Sequence, residues 1–230
     1  MKRFAIYYMP EPGPLANFAA CWLGWNATTG ESAAQPDLPG LPLPLAQITA
    51  TPRKYGFHGT IKPPFRLAAG QTAGALHRAA AALAARAAPI VLDGLHLHRL
   101  GGFLALTARG DQTPLAALAG SMVMGLDLFR APPTEAEIAR RSPEKLTPRQ
   151  RDLLGQWGYP YVMDQFQFHL TLSGNLPHPM GEEVARILEP LLTPLLPQPF
   201  VIRDLCLCGE DDQGMFHLLH RYPLGDKGGA

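Results

Sequence analysis

The 230-residue sequence predicts an α+β fold built as two related lobes. Apolar residues make up 47% and charged residues 17%, enough to bury a sizeable core. Stretches that alternate with period two are interspersed with stretches of helical period, without the regular β-α-β repeat of a parallel sheet. A motif-bearing strand followed by a helix and then a pair of strands occurs twice along the chain, and that order points to duplication.

Phe4-Ala-Ile-Tyr-Tyr8 is aromatic and β-branched, the composition of a strand, and it is closed by Pro10, Pro12 and Pro14. Leu15 to Leu23 has helical spacing, and Asn26 to Pro44, rich in Gly, Pro, Ser and Thr, reads as a loop. The second strand is expected over Tyr55 to Lys62, stopped by Pro63-Pro64. The alanine-rich stretch Thr72 to Ala88 predicts an amphipathic helix. Ile90 to Arg99 and Phe103 to Arg109 form a hairpin through Gly101-Gly102, and a helix follows over Leu115 to Phe129. Thr134-x-x-Glu137 and Thr147-Pro148-x-Gln150 are start signals for two short helices. Val162 to Ser173 alternates strictly and reads as a strand, Glu182 to Leu192 as a helix, and Phe200 to Leu207 with Met215 to Tyr222 as a closing strand pair. The tail from Gly225 to Ala230 is expected to fray.

Composition narrows the function before any motif is considered. The net charge of +1 supplies no long-range field for duplex DNA or another polyanion. Cys21, Cys206 and Cys208 are too few for a disulfide framework, and the apolar run that ends before Pro10 is too short for a signal-peptide core. Prolines break the apolar stretch Ile187 to Ile202, so no segment of membrane-spanning length is present. These features set the expectation of a cytoplasmic protein with no membrane partner.

Phe57-His58-Gly59-Thr60-Ile61 and Phe168-His169-Leu170-Thr171-Leu172 share the pattern Phe-His-x-Thr-aliphatic. At this composition a bare His-x-Thr is expected about 0.4 times per chain by chance, and the five-residue pattern only ~0.004 times. A lone strand histidine is ordinarily structural; two copies of the same five-residue pattern need another reason. In a strand, His58 and Thr60 share one face with Lys54 and Lys62, while Tyr55, Phe57 and Ile61 take the core face. Likewise Gln165, Gln167, His169, Thr171 and Ser173 share a face opposite Phe166, Phe168, Leu170 and Leu172. Two imidazoles, two hydroxyls and an ammonium with no carboxylate suit a phosphate group. One ring can be neutral and the other protonated near neutral pH, as general base and general acid, with no metal or cofactor required.

The two His-x-Thr motifs resemble the signature of the 2H phosphoesterase superfamily. Phe4-Ala-Ile-Tyr-Tyr8, Trp22-Leu23-Gly24, Arg53 to His58, Phe129-Arg130-Ala131-Pro132, Arg140-Arg141, Leu153-Leu154 and Trp157-Gly-Tyr-Pro-Tyr161 are similar to its DUF1045 branch, the phosphonate metabolism proteins. The sequence departs from that branch at Gly59-Thr60-Ile61-Lys62, where relatives commonly carry Ala-Thr-Leu-Lys. The resemblance implies a bilobal α+β fold, two antiparallel sheets facing a central cleft with helices outside. It implies a single domain over residues 1–225, with motif strands near 55–62 and 163–173, a helical insertion or lid at about 130–160, and residues 226–230 as tail. It further implies metal-independent hydrolysis of a small cyclic phosphodiester, of a sugar in preference to RNA, by His58 and His169, with Thr60 and Thr171 on the phosphate. His169 is taken as the base and His58 as the acid.

Four more residues are expected at the substrate. Lys62 shares the motif face, Arg130 of the middle segment can grip a second phosphate, as can Arg140 and Arg141 unless they form a charged helix face with Glu135, Glu137 and Glu144, and Tyr159 and Tyr161 can stack on a base or ribose. Each also has an ordinary structural reading, as a solvated lysine, a paired surface arginine or packed aromatics. His96-x-His98 lacks a third metal ligand at sensible spacing, and Cys206-x-Cys208 lacks the spacer of a zinc site. Two other functions fit the same motifs: a 2′,5′ RNA ligase-type enzyme, which would need a basic groove, and a non-catalytic module that binds a phosphorylated metabolite.

Overall fold

A computed structural model describes residues 1–225; the expected frayed tail, 226–230, lies outside the described residues. Seven strands form one antiparallel sheet: β1 (Phe4–Tyr8), β2 (Gly59–Phe65), β3 (Gly94–Leu100), β4 (Phe103–Arg109), β5 (His169–Thr171), β6 (Asp204–Glu210) and β7 (Phe216–Pro223), in the order β7-β6-β1-β2-β5-β4-β3. Four strands on one side and three on the other are the two halves of the molecule. They join where β2 meets β5, through the pair Gly59 and Leu170. The α+β class with antiparallel sheets holds, and the two expected sheets are continuous across this seam.

The helices lie on one face: α1 (Pro14–Leu23), α2 (Ala73–Ala84), α3 (Thr113–Gly125) and α6 (His178–Leu192) all contribute to a single core with Phe4, Ile6, Ile61, Leu104, Leu106, Leu170, Leu205 and Leu207 of the sheet. Between α3 and β5 run the short helices α4 (Glu135–Ala139) and α5 (Pro148–Trp157). Both start as expected, with Thr134 and Glu137, and Thr147 and Gln150, forming capping boxes. Trp22 of α1 donates its indole N–H to the Leu172 carbonyl at 2.7 Å, which ties the helical layer to the end of β5. The other sheet face carries Ala5, Tyr7, Cys206 and Cys208, packed with Trp25 and Phe216. Among the described residues no helix is long and apolar enough to cross a membrane.

β1 and α1 match their expected limits closely, and the motif strands do not. β2 begins at Gly59 because Lys54 and Tyr55 form a turn and Gly56 follows at φ +69°, where an added Cβ would lie 2.6 Å from that of Ala27. It also runs through Pro63 and Pro64 to Phe65. Past Gly59 its one paired neighbour among the described residues is β1, so the prolines sit where β5 asks for no N–H donor. Of the expected strand from Val162 to Ser173 only His169–Thr171 is extended in the sheet; Met163–Gln165 is a 3₁₀ turn with Met163 at φ 54°.

A bulge in β2 has the largest consequence. Tyr7 pairs with Thr60 and Ile6 with Lys62, so one extra residue, Ile61, is accommodated between them. The extra residue turns Lys62 to the helical face, opposite the expected one. There it is 1% exposed, donates to the Val123 carbonyl at 2.9 Å and lies 3.7 Å from Asp127. Burial pushes its pKa down to about 8 despite the Asp127 carboxylate.

The seam also accounts for Gly59. A Cβ built there would meet the Phe168 ring at 2.3 Å. Gly59→Ala is therefore expected to destabilise the protein by roughly 1–3 kcal/mol. Gly59→Ala with Phe168→Leu should recover part of that loss in thermal or denaturant unfolding. A single variant as stable as the wild type would mean that the seam is not tightly packed.

Candidate active site

The register brings the two motifs together crosswise. Because Gly59 faces Leu170 in an antiparallel pair, His58 lies opposite Thr171 and Thr60 opposite His169, all four on the face away from the helices. One row across the sheet reads Tyr7, Thr60, His169, Thr107 and His96, through the pairings of Tyr7 with Thr60, His169 with Thr107 and Thr107 with His96, and with Thr60 brought beside His169 by the Gly59–Leu170 register.

The two histidines are held by the same device. His58 Nδ1 lies 2.9 Å from the Gly56 carbonyl and His169 Nδ1 2.8 Å from the Gln167 carbonyl, two residues upstream in each case. A carbonyl oxygen only accepts, so each Nδ1 carries the proton in the neutral ring and each Nε2 presents a lone pair. The Thr60 hydroxyl reaches His58 Nε2 at 3.2 Å and donates to it. His58 stacks on Tyr7 with ring centroids 3.9 Å apart, and His169 packs against Phe103 at 5.5 Å. Desolvation holds both rings below the usual imidazole pKa, His58 at about 4, with His169 as a further, smaller lowering influence on His58. Both shifts favour the neutral ring in the unliganded protein.

A cleft of about 370 Å³ opens over this face. Its walls include His58, Thr60, Thr171, Tyr159, Tyr7, Ser173, Asn175, Arg3 and Arg141; His169 is not among its lining residues and packs against Phe103, which is. No carboxylate is among its lining residues. The Tyr7 hydroxyl is buried without a hydrogen-bond partner among the described residues, a state that costs about 1–3 kcal/mol. Arg141 lies over the Tyr159 ring, 4.6 Å from its centroid. Among the described residues no group of three or more His, Cys, Asp or Glu side chains is placed to hold a metal ion. His96 instead meets the Thr107 hydroxyl at 3.2 Å.

The remaining expected residues divide. Tyr159 lines the cleft. Tyr161 stands edge-on to it at 5.7 Å, is 48% exposed and does not line the cleft. Arg130 lines a neighbouring cavity, where it pairs with Asp127 at 2.7 Å and donates to the Gln156 carbonyl. Lys62 lies beneath the sheet, on the same Asp127. Tyr55, assigned to the core by alternation, lines the cleft because residues 54–55 form a turn. Tyr7 and Arg3 are not singled out by sequence: the sequence does not show which strand β1 adjoins, and that adjacency puts Tyr7 beside His58 and Arg3 in the cleft wall.

The family described as "Protein of unknown function (DUF1045)" matches residues 60–217. The chain is 41% identical over 180 residues to "Ribose 1,5-bisphosphate phosphokinase PhnN" of Janthinobacterium sp. (strain Marseille), covering 77% of this chain and 40% of that protein. It is 33% identical over 175 residues to the protein of the same name from Laribacter hongkongensis (strain HLHK9), covering 76% and again 40%. The chain thus spans well under half the length of these curated relatives. Among solved structures, E. coli LigT in apo form is similar at TM-score 0.45 and 13% identity, covering 97% of each chain. TT0787 of Thermus thermophilus is similar at TM-score 0.44 and 15% identity, covering 98% of each. With the DUF1045 match spanning both halves of the sheet and the strand that carries His169 and Thr171, the chain belongs to the DUF1045 family.

Proposed function

We propose that the protein is a metal-independent phosphodiesterase that opens a small cyclic phosphodiester of a sugar. The observation that carries this reading is the pair of His-x-Thr motifs side by side across one seam, each histidine held through Nδ1 by the carbonyl two residues upstream, with His58, Thr60 and Thr171 lining a cleft without carboxylates and His169 against Phe103 of its wall. The resemblance to 2H phosphoesterases supports it. The curated relatives carry a name that specifies ribose 1,5-bisphosphate, which favours a phosphorylated ribose over RNA and fits the branch's association with phosphonate breakdown.

In this reading the phosphoryl group sits between the two rings. Water attacks phosphorus as its proton passes to Nε2 of His169; the bond from phosphorus to one sugar oxygen breaks, and that oxygen takes a proton from Nε2 of protonated His58. A cyclic diester and one water become one hydroxyl and one phosphate monoester. The low pKa of His58 suits the acid role, because a proton it takes up as the anionic substrate binds is readily given away. Thr60 and Thr171 donate to the non-bridging oxygens, and the orphan Tyr7 hydroxyl is a third donor beside them.

His58→Ala and His169→Ala should each lower kcat on ribose 1,2-cyclic phosphate or a 2′,3′-cyclic nucleotide by about 10²–10⁴-fold with unfolding temperature preserved. EDTA should leave the wild-type rate as it is. Binding without turnover in the wild type would instead favour a phosphate-binding module. Because catalysis needs one neutral and one protonated ring, and both are lowered, kcat/KM should peak on the acid side of pH 6.5 and decline as pH rises further. A maximum above pH 7 would contradict the shielded site.

A further inference from the structure

We propose that the cavity beside the cleft is a subsite for a terminal phosphate monoester, so that the substrate carries two phosphoryl groups. The cyclic diester lies at the histidines and the monoester against Lys54, Arg140 and Arg141. This rests on the phosphodiesterase reading for what occupies the histidines.

The cavity, about 280 Å³, is contiguous with the catalytic cleft: Arg3, Tyr55, Pro64 and Arg141 line both. Six cationic side chains, Arg3, Lys54, Arg66, Arg130, Arg140 and Arg141, surround it, against Glu137 as the one carboxylate in its wall. Three of these cations are already matched. Arg3 binds Glu210 at 2.6 Å, Arg66 binds Glu137 at 3.1 Å and Arg130 binds Asp127 at 2.7 Å. The Arg66 guanidinium holds the Glu137 carboxyl at a pKa of about 2, so this pair is fully ionised at any working pH.

The other three have no carboxylate within 4.0 Å among the described residues. Lys54 rests over Tyr55, 4.9 Å from the ring centroid, and Arg141 over Tyr159, so two of the three stand on aromatic rings that wall the catalytic cleft. Arg140 donates Nε to the Ala136 carbonyl at 3.2 Å and retains its terminal nitrogens. In a chain of net charge +1, three unmatched cations at one cavity are a local arrangement, sized for a compact dianion. A phosphate monoester near neutral pH is such a group, and planar guanidiniums match its oxygens. Arg141, on the boundary, can bridge the two phosphoryl groups of one substrate.

The test compares ribose 1,2-cyclic phosphate with its 5-phosphorylated form, and follows ribose 5-phosphate binding by calorimetry. Wild type should prefer the 5-phosphorylated substrate in kcat/KM by about a hundredfold, and each of Lys54→Ala, Arg140→Ala and Arg141→Ala should cut that preference by about tenfold. Arg140→Lys should restore part of it. Ribose 5-phosphate should bind the wild type and lose affinity in the same variants. Equal turnover of the two substrates by wild type, or ribose 5-phosphate binding insensitive to the three variants, would overturn the subsite while leaving the diesterase reading intact. Variant-sensitive ribose 5-phosphate binding with no turnover of either cyclic substrate would uphold the subsite and sink the diesterase reading.

Discussion

Between β2 and β5 the two halves of the sheet pair through Gly59 and Leu170, and the arrangement of the two motifs follows from that register. A shift of one residue would send one motif's histidine and threonine to the helical face, since strand side chains alternate. The register is secured from beneath, by Phe168 under Gly59 and by Leu170, Leu172 and Ile61 in the core. Gly59 allows that approach where an alanine would meet the aromatic ring. Hydrophobic packing on one face thereby sets the spacing of proton-transfer groups on the other.

The same economy governs protonation. Each imidazole is oriented by a carbonyl two residues upstream, which places the proton on Nδ1 and leaves Nε2 for chemistry without a carboxylate partner. A carboxylate would hold the ring charged and would repel a phosphodiester. Burial against Tyr7 and Phe103 lowers the pKa of both rings instead, so positive charge on a histidine is favoured when an anion enters. The cations that line the cavities stand to one side, with Arg141 on the shared boundary.

Local signals read well from sequence. The Phe4–Tyr8 strand, the helix after it and both capping boxes depend on neighbours within a few residues, and the structure contains them. The duplicated motif is legible because it repeats. What escapes the sequence depends on strand partners. Strict alternation assigns Lys62 to the chemical face, but the bulge opposite Ile6 and Tyr7 breaks that alternation and carries it to Asp127. Alternation also assigns Gln165 to the same face as His169, yet a turn at Met163 removes it from the strand. Tyr7 and Arg3 gain their places from strand order, which no pattern in the sequence encodes.

The central claim is that His58 and His169 act on one phosphoryl group as a unit. The most direct measurement is a double-mutant cycle on kcat, with His58→Ala, His169→Ala and the combined variant assayed on the same cyclic phosphodiester. Groups that work together are non-additive, so the combined variant should lose about as much as the worse single variant. Losses that multiply across the two sites would contradict the account, because they would mean that the histidines act independently.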